Sequence, residues 1–199
     1  MNTPISYSPE TYKKNDGELN STLSNMFADA TYEMSNPVFN KMSGKNIDIV
    51  LLNNGGIRSI ISKGNISEKT AFELMPFENS IVVLELSGLS IIKMIDYLRK
   101  VKLQHPISGL QITLNNDYSV NEVKINGVSI ENEKKYYVAT TDYLLEGGDK
   151  MYFLAETTKT TDINYKMRDI LIDYFKKYDT LKLKSDNRFI RIKWIEKPF

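Results

Sequence analysis

The chain has 199 residues, 41% of them hydrophobic, which suits one compact domain with a sizeable core. Its 26 basic and 25 acidic side chains leave a net charge of +1, so no global field draws it to nucleic acid or to an anionic membrane. The lack of cysteine excludes disulfides, thiolate metal sites and cysteine nucleophiles, and the single histidine, His105, is too few imidazoles for the usual hydrolytic metal centre.

No apolar run reaches the roughly 18 residues of a membrane span, and no signal-peptide core is present. Residues 1–15, "MNTPISYSPETYKKN", are polar and read as an N-terminal tail or the remnant of a processed leader, with the domain proper over 16–199. Leu19, Leu23, Met26, Phe27, Ala30 and Met34 recur at helical spacing, and Asn36-Pro37 is expected to end that helix. Residues 46–52, "NIDIVLL", read as a strand that becomes apolar on both faces toward its end. Ser67 can cap a short helix, "EKTAFEL", which Pro76 stops. "SIVVLELS" (80–87) is a strand and "LSIIKMIDYLRKV" (89–101) an amphipathic helix, with His105 expected in a loop or at the surface beyond it.

"LQITLN" and "VNEVKING", joined across Asn115, Asn116 and Asp117, form a hairpin candidate. "KKYYVATTDYLL" (134–145) reads as a strand that carries Tyr143 out to Gly147-Gly148. Asp162 can cap a helix whose apolar side is Ile163, Met167, Ile170, Leu171, Tyr174 and Phe175. In "RFIRIKW", Ile190, Ile192 and Trp194 alternate with Arg191 and Lys193, a half-buried final strand, so the basic stretch from Lys182 to Lys197 is a solvated strand face. Intermixed strands and helices with hairpins define a mixed-sheet α/β (α+β) domain.

Three segments at strand ends carry chemistry. In "NNGGIR", Gly55 and Gly56 permit positive φ and close approach of a ligand. Asn53 and Asn54 offer amide groups, and Arg58 presents a planar fork suited to phosphate or carboxylate. A tight strand exit with Arg58 paired to a nearby acid is the plain alternative. In "LMPFENS", Pro76 fixes the backbone before Phe77, a ring that can equally cap the core edge. In "TTDYLLEGGDK", Tyr143 precedes Gly147, Gly148 and Asp149; a carboxylate there can accept two hydrogen bonds from vicinal hydroxyls or cap the next segment. Two rings, an acid, an amide and a guanidinium together suit a nucleotide better than a lipid or a metal.

In this order and spacing the segments resemble the C-terminal domain of the 5′-nucleotidase family, which includes UDP-sugar hydrolases and 2′,3′-cyclic phosphodiesterases. "LNNGGIRS" is similar to that family's Asn-Gly-Gly-Gly-Ile-Arg turn and "AFELMPFENSIVVLELSG" to its leucine-proline-phenylalanine segment. "GLQITL" after Ser108 is similar to its Ser-Gly hairpin start, "YYVATTDYLLEGGDKMY" to its Gly-Gly-Asp segment, and "LSNMFADA" to its Leu-Gly-Asn-Leu-x-x-Asp-Ala helix motif. The resemblance implies a substrate-recognition domain that binds a nucleoside monophosphate or related nucleotide. Its base lies between Phe77 and Tyr143, its ribose on Asp149, its ribose-phosphate part on Arg58, and its base edge on Asn53, with Gly55, Gly56 and Gly148 shaping the site.

It also implies that hydrolysis belongs to a separate metallophosphoesterase domain or chain. That partner would hold the divalent ions, zinc, manganese or magnesium, with no catalytic residue or metal in this chain. A periplasmic or cell-envelope location follows by the same resemblance. The sequence departs from the family pattern at Gly17, where an arginine is usual, with Lys13 or Lys14 as possible substitutes, and at Asn20, where a glutamate is usual. It also departs at Ser24, Asn54 and Lys150, each in place of a glycine. Two other expectations stand beside recognition: a non-binding scaffold or interaction module that keeps the fold, marked by an Arg58–Asp149 salt bridge and no open pocket between the rings, and a self-sufficient hydrolase with Asp149 or Asp142 as general base.

Overall fold

The computed structural model describes residues 1–193. In chain order its elements are β1 (Pro4–Ser8), α1 (Thr22–Ser43), β2 (Ile49–Leu51), β3 (Gly64–Ser67), α2 (Glu68–Leu74), β4 (Ser80–Ser87), α3 (Gly88–Val101) and β5 (Ile107–Ser108). Then follow β6 (Leu110–Leu114), β7 (Val120–Ile125), β8 (Lys135–Thr141), α4 (Asp142–Leu145), β9 (Lys159–Lys166), α5 (Met167–Lys177) and β10 (Phe189–Arg191). The central sheet has the order β5-β2-β8-β4-β9, flanked by a three-stranded sheet β10-β6-β7 and a two-stranded pair β1-β3. β2 runs parallel to β8, β10 runs parallel to β6, and the other ladders are antiparallel, so the architecture is the mixed α/β class.

Alternation along the central strands makes this sheet the middle layer. Ile81 and Val83 of β4, Val50 of β2 and Ala139 of β8 face a core built with Phe27, Leu74, Leu171 and Phe175 of α1, α2 and α5. Val82, Leu84 and Leu86, Ile49 and Leu51, and Tyr136 and Val138 face the opposite core, against α3 (Ile91, Met94, Leu98) and the β6–β7 hairpin.

Several elements differ from the sequence expectation. Residues 4–8, read as part of a tail, form β1 paired with β3, and Tyr12 is 5% exposed within the core. The inward positions of β1 are Ser6 and Ser8, each satisfied by donating to a backbone carbonyl (Tyr178 O and Glu10 O), so the strand shows no apolar alternation. Helix α1 runs through Pro37 to Ser43. Pro37 is exposed, so its ring lies on the solvent side, and extending the helix buries Phe39 at 2% exposure.

Asp162 and Ile163 lie in β9, because pairing with β4 prevails over a local helix cap; α5 begins only at Met167. β8 stops at Thr141, whose Oγ1 accepts the Leu144 N–H, and Tyr143 therefore sits on the helical turn α4 instead of a strand. Phe189 fills the core at 1% exposure while Ile192 is 41% exposed, the reverse of the expected phase, and Trp194 lies outside the described residues. His105 is buried, at 2% exposure.

Candidate functional site

Sheet topology explains why segments far apart in sequence meet. β2 and β8 are parallel neighbours, with Ile49 opposite Val138, so the chain leaves both at the same end of the sheet. β4 is antiparallel to β8, with Ile81 opposite Thr141, so the loop that enters β4 lies at that end too. The "NNGGIR" turn, the Pro76–Asn79 loop and the α4–Asp149 segment are thus delivered to one edge, where ligands bind in many α/β sheets.

Backbone and carboxylate bonds then lock the three together. The Arg58 N–H donates to Leu74 O at 2.9 Å, tying the first turn to the end of α2. The Ser80 N–H donates to Asp142 Oδ2 at 3.1 Å, tying the second loop to α4, while Asp142 Oδ1 accepts the Tyr143 N–H at 2.7 Å. Both oxygens of Asp142 therefore have structural partners.

In the first turn, residues 54–56 form a single 3-10 turn, and neither Gly55 nor Gly56 takes a positive φ. Their smallness matters instead. A Cβ on Gly56 would stand 3.0 Å from Asn53 Oδ1, and one on Gly55 would stand 3.4 Å from Asn53 Nδ2 on the side facing Asp149. Asn54, in place of the family's glycine, donates its side-chain amide to Gln104 O at 3.0 Å and its N–H to His105 Nδ1 at 3.2 Å. Lys14 donates to Ile57 O at 2.7 Å and to Asn54 O at 3.3 Å. Burial and the neighbouring Arg58 charge both push its pKa down, so two cations share this rim.

In the second loop, Arg168 of α5 holds Pro76 and Glu78, the residues on either side of Phe77. That guanidinium stacks 4.0 Å from the Phe72 ring centroid, reaches Pro76 O at 3.4 Å, and pairs with the Glu78 carboxylate. Lys166 and Arg168 hold the Glu78 carboxyl down to a pKa of about 2. In the third, Gly147 (φ 96), Asp149 (φ 50) and Lys150 (φ 60) all occupy the left-handed region. A Cβ on Gly148 would fall 2.4 Å from Tyr143 Cε1, so this glycine lets the ring lie against the turn. Tyr143 donates its hydroxyl to Asp149 Oδ1 at 3.2 Å.

The result is an open cavity of about 260 Å³ lined by Asn53, Gly55, Gly56, Arg58, Phe77, Asn79, Tyr143 and Asp149. Seven of the eight residues expected from the sequence line it, and Gly148 backs the Tyr143 ring. The volume falls a little below the roughly 300–1,000 Å³ that surrounds a drug-sized molecule. Phe77 is 41% and Tyr143 44% exposed, so each ring leaves part of its surface open to the cavity. Arg58 reaches Gly55 O at 3.4 Å and lies 5.8 Å from the Phe77 centroid, while Asp149 engages Tyr143; the guanidinium and the acid are not locked to one another.

Sequence reasoning missed Asn79, although it stands two residues after Phe77, and missed the support from Arg168 and His105, which no local motif signals. Gly17 is fixed by packing: a Cβ there would lie 2.2 Å from Asn20 O, so no arginine fits without backbone movement. Asn20 is buried and donates to Phe189 O at 2.8 Å. Among the described residues, no three His, Asp or Glu side chains converge as metal ligands, and no helix is long and apolar enough to cross a membrane.

A family model described as "5'-nucleotidase, C-terminal domain" matches residues 4–156. Protein UshA of Escherichia coli (strain K12) is 32% identical over 115 residues, covering 55% of this chain and 20% of that protein. The trifunctional nucleotide phosphoesterase protein YfkN of Bacillus subtilis is 33% identical over 143 residues, covering 65% and 10%. The cell wall protein Lmo0130 of Listeria monocytogenes is 32% identical over 144 residues, covering 65% and 18%. The chain thus spans a fifth or less of these relatives. The crystal structure of a 5'-nucleotidase precursor from Thermus thermophilus shares the fold with a TM-score of 0.82 at 23% identity, over 100% of this chain and 40% of that one. Haemophilus influenzae NAD nucleotidase does so with a TM-score of 0.72 at 16% identity, over 96% and 38%.

Proposed function

This chain belongs to the 5′-nucleotidase C-terminal domain family, and from that premise we propose that it is the nucleotide-recognition part of a phosphohydrolase whose hydrolytic chemistry resides in a metallophosphoesterase domain or chain. The observation that carries the proposal is the gathering of Phe77, Tyr143, Asp149, Arg58 and Asn53 around one open cavity by three separate loops.

Each group has a task in this account. Phe77 and Tyr143 supply faces for a purine or pyrimidine, a contact of about 1–3 kcal/mol per stacked base in single-strand binders. Asp149 accepts the ribose hydroxyls, displacing the Tyr143 hydroxyl from one oxygen. Asn53 meets the base edge. Arg58, with Lys14 beside it, draws the phosphate toward the open side of the cavity. The chain's contribution to catalysis is then placement, holding the phosphate where a partner can act on it. Divalent zinc, manganese or magnesium ions held by that partner would polarise the phosphate and supply the attacking hydroxide. Residence in the periplasm or cell envelope fits the name of one relative, a cell wall protein.

Calorimetric titration of AMP and UMP against wild type and Tyr143→Ala tests the proposal. Weak binding by wild type that drops in the variant is expected; equal affinities, or no binding at millimolar nucleotide, refute it. The scaffold alternative calls for an Arg58–Asp149 lock and a closed gap, and the open cavity favours recognition instead. For a self-sufficient hydrolase, Asp142 is poorly placed, since Ser80 and Tyr143 amides occupy its oxygens. Phosphatase activity of the purified chain surviving a chelator would revive that alternative.

A further inference from the structure

His105, the one histidine of the chain, does not line the cavity, yet it is packed behind it at 2% exposure. Its Nδ1 accepts the Asn54 N–H at 3.2 Å. An accepting Nδ1 requires a neutral ring with its proton on Nε2. Burial favours that neutral form, pushing the pKa down to about 4 although the Asp149 charge and the Leu52 backbone oppose it. The residues on either side repeat the contact. Asn54 Nδ2 donates to Gln104 O at 3.0 Å, and the Leu52 N–H donates to Pro106 O at 2.9 Å. Residues 104–106 therefore grip 52–54 at three points.

The other side of the ring leads to the opposite wall of the cavity. His105 lies 5.9 Å from the Tyr97 ring, centroid to centroid, and Tyr97 packs 5.6 Å from Phe153. The Tyr97 hydroxyl donates to Asp149 O at 2.8 Å. That carbonyl belongs to one of two consecutive non-glycine residues at positive φ, a backbone held only where its surroundings impose it.

We propose that His105 is a positioning residue for this site: through Nδ1 it fixes the turn that presents Asn53, Gly55 and Gly56, and through Tyr97 it braces the Asp149 turn across the cavity. The consequence for binding rests on the nucleotide-recognition proposal, and the test therefore includes an arm that needs no ligand.

Two substitutions separate ring from acceptor. His105→Phe keeps a buried ring and removes the acceptor; His105→Asn keeps an acceptor at the position of Nδ1 and removes the ring. Thermal stability should follow the ring, and order in the site should follow the acceptor. In His105→Phe, amide hydrogen exchange at Gly55 and Gly56 is expected to rise about tenfold, and AMP affinity to fall about tenfold, the lower end of the effect of orphaning a buried N–H. In His105→Asn, which melts at lower temperature, both stay within about threefold of wild type. Tyr97→Phe, which removes only a hydroxyl, should speed exchange at Lys150 and provides a second arm if His105→Asn does not fold. Wild-type exchange at Gly55 and Gly56 in His105→Phe, or unchanged exchange at Lys150 in Tyr97→Phe, overturns the proposal. If wild type binds no AMP, the nucleotide proposal fails by itself and the exchange rates still decide the role of His105.

Discussion

Tyr143 donates its hydroxyl to Asp149 Oδ1 at 3.2 Å, so the exposed ring and the carboxylate at the cavity are one coupled unit. Tyr143→Phe separates their roles. It keeps the ring face and frees the carboxylate, so AMP affinity should stay within about threefold of wild type, whereas Tyr143→Ala should lose roughly 1–3 kcal/mol. Titration calorimetry on the three proteins checks this, and an equal loss in both variants would place the effect in the hydroxyl instead.

Asp149 holds φ at 50°. Left-handed backbone costs a non-glycine residue roughly 1–2 kcal/mol, so Asp149→Gly should stabilise the fold while removing the ribose acceptor. A melting temperature raised by about 2–4 °C is expected for a chain of this size, together with weaker AMP binding. A 2′,3′-dideoxy analogue, lacking the hydroxyls, should bind both proteins alike. Retained preference for AMP over that analogue in the glycine variant would exclude Asp149 as the sugar contact.

Arg58 is exposed, and Lys14 lies at the same rim. Solvent screening limits its expected effect to about 1 kcal/mol, roughly fivefold in affinity. Arg58→Gln should weaken AMP by that factor and leave adenosine unchanged, narrowing the gap between the two ligands in competition titrations. A matching loss for adenosine would mean that the guanidinium supports the Phe77 ring instead.

His105 gives the fold an acid-sensitive core. Its pKa falls from 6.5 to about 4 on folding, so the unfolded chain binds the extra proton first. Its contribution is complete above about pH 6.5 and drains away as pH drops toward 4, by up to roughly 3 kcal/mol. Urea midpoints measured across that window should fall more steeply for wild type than for His105→Phe. Parallel curves would show that the imidazole is not protonated on unfolding.

Much of this was legible because local signals and global fold agree. β4, α3 and the β6–β7 hairpin stand where alternation and helical period put them, and seven of the eight residues around the cavity were named from the sequence, Asn79 being the one that was not. What the sequence hid is non-local. The parallel pairing of β2 with β8, which brings the loops to one edge, leaves no local mark. β1 turns serines inward and so lacks an apolar pattern. Pro37 is tolerated because burial of Phe39 beyond it outweighs one missing N–H. The two glycines of the first turn are there for space beside Asn53, not for positive φ. His105 looked peripheral because a lone polar residue in a loop gives no sign of the Asn54 N–H and the Tyr97 ring that meet it.

Nuclear Overhauser contacts between the base protons of AMP or UMP and the ring protons of Phe77 and Tyr143 interrogate the slot itself. The account predicts contacts to both rings, with base resonances moved upfield by the ring currents, and loss of these effects in Phe77→Ala. A nucleotide that saturates the protein with its base resonances unmoved, or that contacts some other surface, would contradict it.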